Sequence, residues 1–152
     1  MKLLPTILFV LSLITSAPAA IASETPEDFF TRYVQLGNEF SPSLADLYSN
    51  QALIRSYRVY PHGTERHMEV TGAQWKQVLV KVLPLAKAQN DKSTFSNIDI
   101  SQISDGFKIQ ADRYSIRKCY VDTGYFMILK PTFNGRLQIV EEYLETQPQS
   151  SC

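Results

Sequence analysis

Glu141 is the residue best placed by sequence to move a proton. It shares strand parity with Leu137, Ile139 and Tyr143, so one strand face would set a single acid among apolar neighbours. An apolar pocket disfavours the charged form of a carboxylic acid and makes it a usable general acid or base. That is the chemistry of an isomerase or dehydratase, which also needs a hydrogen-bond donor for the developing oxyanion. Tyr57, Tyr114 and Tyr143 could supply it. The same residues allow a structural arrangement, in which Glu141 pairs with Arg55 or Arg113, or Glu142 faces inward instead.

Other reactive types are sparse. The two histidines, His62 and His67, fall in or beside a predicted hairpin turn, where solvation is their ordinary fate. Two ligands do not make a metal site, and the spacing offers no third. Cys119 follows Lys118, and a neighbouring cation favours a thiolate. A bridge from Cys119 to Cys152 is equally open. Six residues of tail after Thr146 reach up to roughly 20 Å, and the tail leaves the last strand at the end of the sheet where Cys119 is expected.

A binding pocket is the broader expectation. Tyr33, Tyr57, Trp75, Tyr114 and Tyr143, with Glu141, lie on elements that would line or close a concave wall. Packing as ordinary core accounts for the same aromatics. Tyr125, Met127 and Leu129 alternate with Phe126 and Ile128, so one strand is apolar on both faces, and Val140 and Leu144 extend its outer side. An exposed apolar sheet face predicts a homodimer, unless the C-terminal tail covers it.

The elements follow from capping and periodicity. Thr25 caps a first helix with Pro26 at its first position, and its apolar stripe runs Phe29, Phe30, Tyr33, Leu36, Gly37, Phe40. Ser41-Pro42-Ser43 ends it. A short helix carries Leu44, Leu47 and Tyr48. A strand from Ala52 to Tyr60 turns at Pro61–Thr64 and returns over Glu65–Val70. Thr71 and Gln74 have capping-box spacing for a third helix, which buries Trp75, Val78, Leu79, Val82 and Leu83. Pro84 should kink or end it, with Leu85–Ala88 as a last turn. Four strands follow as a meander: Thr94–Ile103, Phe107–Tyr120, Tyr125–Thr132 and Arg136–Thr146. A bulge near Asp112-Arg113 would put Tyr114 and Ile116 on the same face as Phe107, Ile109 and Ala111. The class is α+β, three N-terminal helices on a curved, mostly antiparallel sheet.

In this order the chain resembles the nuclear transport factor 2-like superfamily, which includes ketosteroid isomerase-like and polyketide cyclase-like proteins. The likeness is carried by Leu44-Ala45-Asp46-Leu47-Tyr48 leading into Ala52-Leu53-Ile54, and by Asn134-Gly135-Arg136-Leu137-Gln138-Ile139-Val140. It implies a cone-shaped domain with a ligand cavity. Such a cone hosts isomerases, dehydratases, binding proteins and assembly modules. Where that superfamily usually has an acid before the first strand, this chain has Gln51.

The first residues read as an export signal. Lys2 precedes an apolar run from Leu3 to Ile14, and Ala20-Ile21-Ala22 is a small-x-small cleavage pattern. The cut is expected between Ala22 and Ser23, giving a leader (1–22), one domain (23–146) and a tail (147–152), exported to the periplasm or outside the cell. Lysine plus arginine and aspartate plus glutamate both number 15. That balance argues against nucleic acid and membrane partners after cleavage, and the sequence holds no cofactor motif. The function expected is a small-ligand-binding or accessory domain.

Overall fold

A computed structural model describes residues 23–152. The expected leader, with the cut after Ala22, lies outside the described residues. Helix α1 spans Pro26–Asn38, with the Thr25 hydroxyl accepting from the Asp28 amide. It buries Phe29 and Phe30 against the sheet. The chain leaves α1 through a Schellman turn, in which Ser41 N–H donates to Leu36 C=O and Phe40 N–H to Gly37 C=O. Phe40 therefore sits in left-handed backbone at φ 56°.

The short second helix is a 3-10 segment, Pro42–Leu47, and it ends before Tyr48. Tyr48 is instead the first residue of strand β1, Tyr48–Val59. β1 pairs with β2, Glu65–Thr71, as a hairpin. Helix α2, Gly72–Ala88, opens with the expected capping box of Thr71 and Gln74. It starts hard against β1, where a Cβ on Gly72 would lie 1.8 Å from the Ser49 carbonyl oxygen, so only glycine fits. Pro84 does not stop α2. A proline there frees the carbonyl four residues earlier. That residue is Val80, on the solvent side, where water can satisfy it. Val82, expected in the core, is exposed as well.

Five strands follow: β3 Ser93–Ile103, β4 Gly106–Ser115, β5 Tyr120–Asp122, β6 Phe126–Pro131 and β7 Leu137–Thr146. The sheet order is β2-β1-β7-β6-β4-β3, with β5 on β4. Among the described residues only the β1–β7 pair is parallel. Helices lie on the inner face, and the core joins Phe29, Leu47, Ile54, Ile109, Met127 and Ile139.

The meander's second strand differs from its expected course. β4 stops at Ser115 rather than running on to Tyr120, and β5 doubles back beside it. The bulge lies on the neighbouring strand, where Asn97 and Ile98 of β3 face the single residue Ala111. Asn97 takes φ 50° there. Without a bulge in β4, its alternation runs unbroken. Ile109, Ala111 and Ser115 face in, while Tyr114 and Ile116 face out.

The tail does not cover the outer sheet. Ser151 N–H donates to Lys118 C=O, and Lys118 Nζ donates to Gln147 C=O, so it lies along the β4–β5 turn. Cys119 and Cys152 form a disulfide there, with Cα atoms 5.1 Å apart.

The bridge spans 33 residues of sequence and is expected to stabilise the fold by about 4 kcal/mol through loop closure. The double variant Cys119→Ser/Cys152→Ser should therefore keep its circular dichroism but unfold in urea with a free energy lower by about that amount. An unchanged unfolding midpoint would contradict this.

Candidate functional site

The inner face of β7 is decided by one extra residue. Leu129 of β6 pairs with Ile139, and Ile128 pairs with Glu141, so Val140 has no partner. A β-bulge shifts the alternation by one position beyond it. Leu137 and Ile139 face the core, and the next inward residue is Glu142, which is 1% exposed.

Glu141 is consequently on the outer face. It forms an ion pair with Arg55, whose guanidinium also lies over the Tyr143 ring at 5.9 Å. A proton-transfer role for Glu141 inside the cone is corrected by this placement. Tyr143 shares the outer face and stacks on Phe126, with centroids 5.6 Å apart. Tyr114 is exposed on the outside of β4. Tyr57 lies near the turn of the β1–β2 hairpin, with its ring 4.8 Å from that of His67. His62 and His67 are exposed. Of the six residues expected around a ligand, Tyr33 and Trp75 are brought together at one cavity.

That cavity, of about 330 Å³, lies between α1, α2 and the sheet. Leu44, Leu79, Phe95 and Leu144 give it apolar walls beside the Trp75 ring. Its polar side is Glu142. The Tyr33 hydroxyl donates to Glu142 Oε1 at 2.6 Å, Tyr125 to the same oxygen at 2.8 Å, and Tyr48 to Oε2 at 2.6 Å. A carboxylate offers about four lone-pair sites, and phenols hold three of them. Tyr48 and Tyr125 are fully buried, whereas Tyr33 is half-buried and lines the cavity. Burial pushes all three phenols well above the usual tyrosine range, and the negative charge of Glu142 pushes further the same way. They therefore remain donors at any ordinary pH.

Trp75 adds an unused donor. Its indole N–H is buried on the side of the Tyr48 hydroxyl and completes no hydrogen bond among the described residues.

A second buried charge braces the cavity. Arg113 points inward from β4, and its side chain reaches Asp122 Oδ2 at 3.4 Å, the Tyr120 hydroxyl at 3.3 Å and the Glu145 carbonyl at 2.8 Å. Asp122 also accepts from the Gly124 and Glu145 amides at 2.9 and 2.8 Å. Burial opposes the guanidinium charge, but Tyr120 and Asp122 outweigh it and hold the group above its ordinary pKa. Among the described residues no group of three His, Cys, Asp or Glu side chains could hold a metal.

Sequence reading passed over Tyr48 and Tyr125, offered Arg113 only as a partner for Glu141, and gave an inward Glu142 as the alternative to Glu141. One signal was available. Two consecutive acids in a strand face opposite sides, so either Glu141 or Glu142 had to point inward. Tyr48 was hidden by its assignment to the short helix.

No protein-family profile matches this sequence, and no curated protein matches it. Solved structures match in fold. An NTF2-like protein of unknown function from Pseudomonas putida is 7% identical, with a TM-score of 0.59 over 78% of this chain and 82% of that one. An NTF2-like protein with a cystatin-like fold from Novosphingobium aromaticivorans is 11% identical, with a TM-score of 0.55 over 82% and 80%. A protein from the same organism, assigned as the beta subunit of an aromatic-ring-hydroxylating dioxygenase, is 12% identical, with a TM-score of 0.52 over 79% and 86%. The architecture is therefore the nuclear transport factor 2-like, cystatin-like cone, as the element order led us to expect.

Two outcomes follow from the buried cluster. Tyr48→Phe leaves Glu142 short of a donor and should cost about 1.5–3 kcal/mol in urea unfolding. The phenols also set an alkaline limit. Their folded-state pKa lies above the unfolded value, so their contribution is complete below about pH 10 and is lost as pH rises through and beyond it. In an absorbance titration, Tyr33, Tyr48 and Tyr125 should ionise only as the protein unfolds, after the exposed tyrosines have titrated.

Proposed function

We propose that this chain is an exported small-ligand-binding domain, and that its ligand occupies the cone between α1, α2 and the sheet. The observation that carries the reading is a cavity of about 330 Å³ left unfilled by side chains, with apolar walls and a few fixed polar groups. That volume is near the lower end of small-molecule sites, which run from about 300 to 1,000 Å³. Export rests on the leader sequence alone.

The lining suggests the ligand's character. Leu44, Leu79, Phe95 and Trp75 suit a compact apolar body. The fourth lone-pair site of Glu142 and the phenolic oxygens of Tyr33 and Tyr125 suit a hydroxyl or amine donor on it. Glu142 is a poor choice for a catalytic base, because phenols already engage most of its lone pairs.

Pairing of two copies through the outer sheet face is a second reading. It rests on Phe126, Ile128 and Val140, half-buried on the outward side of β6 and β7. Sedimentation equilibrium tests it, and a monomer at high concentration would end it.

Ligand binding has a direct test. Gly37 of α1 lines the cavity, and a Cβ there meets no atom within 4 Å. Gly37→Phe should direct a ring into that space, and replacing glycine by phenylalanine in a helix favours the helix by roughly 0.5 kcal/mol. Calorimetric titration with 2-decalol, a compact apolar alcohol, should show binding that weakens at least roughly tenfold in the variant, equivalent to about 1.4 kcal/mol. Trp75, the only tryptophan, should change its emission on binding. Equal affinity in the two proteins would refute the site.

A further inference from the structure

We infer that the solvent face of α2 is a docking surface for an anionic membrane leaflet. Charge balance over the whole chain hides a local asymmetry. From Gly72 to Ala88, α2 carries Lys76, Lys81 and Lys87 and no acidic residue, and Lys92 follows just beyond its end. Lys76 donates to the Asn50 amide oxygen rather than to an acid. The nearest acids in sequence lie three residues beyond either end, Glu69 on β2 and Asp91, which faces Arg117 at 4.0 Å.

The same helix holds unusual apolar exposure. Val80 is 70% exposed and Leu85 63%. Pro84 between them is exposed too. Leaving large aliphatic side chains in water costs roughly 25 cal/mol per Å² of apolar surface, so Val80 and Leu85, on the two flanks of the solvent face, favour an apolar partner. On the Val80 side an apolar groove of about 310 Å³ runs between α2 and the 3-10 segment, walled by Phe40, Pro42, Ala45, Val80, Leu83 and Pro84. Among the described residues Lys87 is the only charged one in its lining, and the Lys92 ammonium lies 6.0 Å from the centre of the Phe40 ring.

Residue type selects the partner. Protein interfaces are enriched in arginine and aromatics and depleted in lysine. This face is aliphatic and lysine-rich, the composition of a helix lying in a membrane surface. Lysines can keep their charge among headgroups while their methylenes lie along the acyl boundary. Docking is peripheral: among the described residues no helix is long and apolar enough to cross a bilayer. Val82 is exposed yet lines the ligand cavity, so the docked face reaches the cavity edge.

The test uses the chain from Ser23 onward, which contains every element of the fold, the core and the disulfide. Sedimentation with phosphatidylcholine vesicles, with and without phosphatidylglycerol, should show binding to the anionic vesicles that weakens with salt. Each lysine near an anionic surface contributes roughly fivefold, so Lys81→Gln/Lys87→Gln should lower partitioning roughly 25-fold. Val80→Ser/Leu85→Ser should also lower it, with circular dichroism and unfolding midpoint unchanged. Equal binding to neutral vesicles, or variants that bind like the parent, would overturn the proposal. So would a dimer of the free protein that the same substitutions dissociate, since the face would then join two copies.

Discussion

The Glu142 carboxylate accepts hydrogen bonds from phenols that arrive from three directions: Tyr33 on α1, Tyr48 at the start of β1, and Tyr125 just before β6. A charge taken out of water is costly unless it is paired or well hydrogen-bonded. Among the described residues this one forms no ion pair, so the phenols have to be where they are. Their positions fix how α1 crosses the sheet, where β1 must begin, and how the chain enters β6. The cavity beside them is a consequence. Phenol rings held at a common carboxylate cannot also close over the space in front of it.

The second buried charge works at the other polar boundary of the cone. Arg113 and Asp122 join β4 to β5 and to the Glu145 backbone of β7, which holds the sheet's curved end together. The disulfide and the docked tail lie at the same end. The cone is thus braced by polar contacts on both sides of an apolar space, and a ligand entering it meets a wall that has little freedom to adjust. Preorganisation of this kind favours binding, because little side-chain freedom remains to be lost.

Much of this was legible from sequence, for local reasons. The Thr25 cap, the Thr71–Gln74 box, the hairpin at Pro61–Thr64 and the final turn at Asn134-Gly135 depend on neighbours within four residues. The cone followed from their order. The errors of strand facing in β4 and β7 share one cause. Alternation assigns faces only while a strand stays in register, and a single unpaired residue reverses every assignment beyond it. Val140 moved the inward acid from Glu141 to Glu142. In β4 the expected bulge was absent, and Tyr114 turned outward. Bulges depend on how a neighbouring strand pairs, which lies far away in sequence. The basic, apolar face of α2 was also present in the sequence, masked by averaging charge over the whole chain.

Proton NMR of the hydroxyl groups tests the central claim most directly. Phenolic protons donated to a buried carboxylate should exchange slowly and resonate downfield, with nuclear Overhauser contacts assigning them to Tyr33, Tyr48 and Tyr125 (the three partners of Glu142). Glu142→Gln should shift all three together while the Glu141→Gln spectrum stays unchanged in this region. Hydroxyls that exchange with solvent as freely as those of exposed tyrosines, or that respond to Glu141 and not to Glu142, would contradict the account.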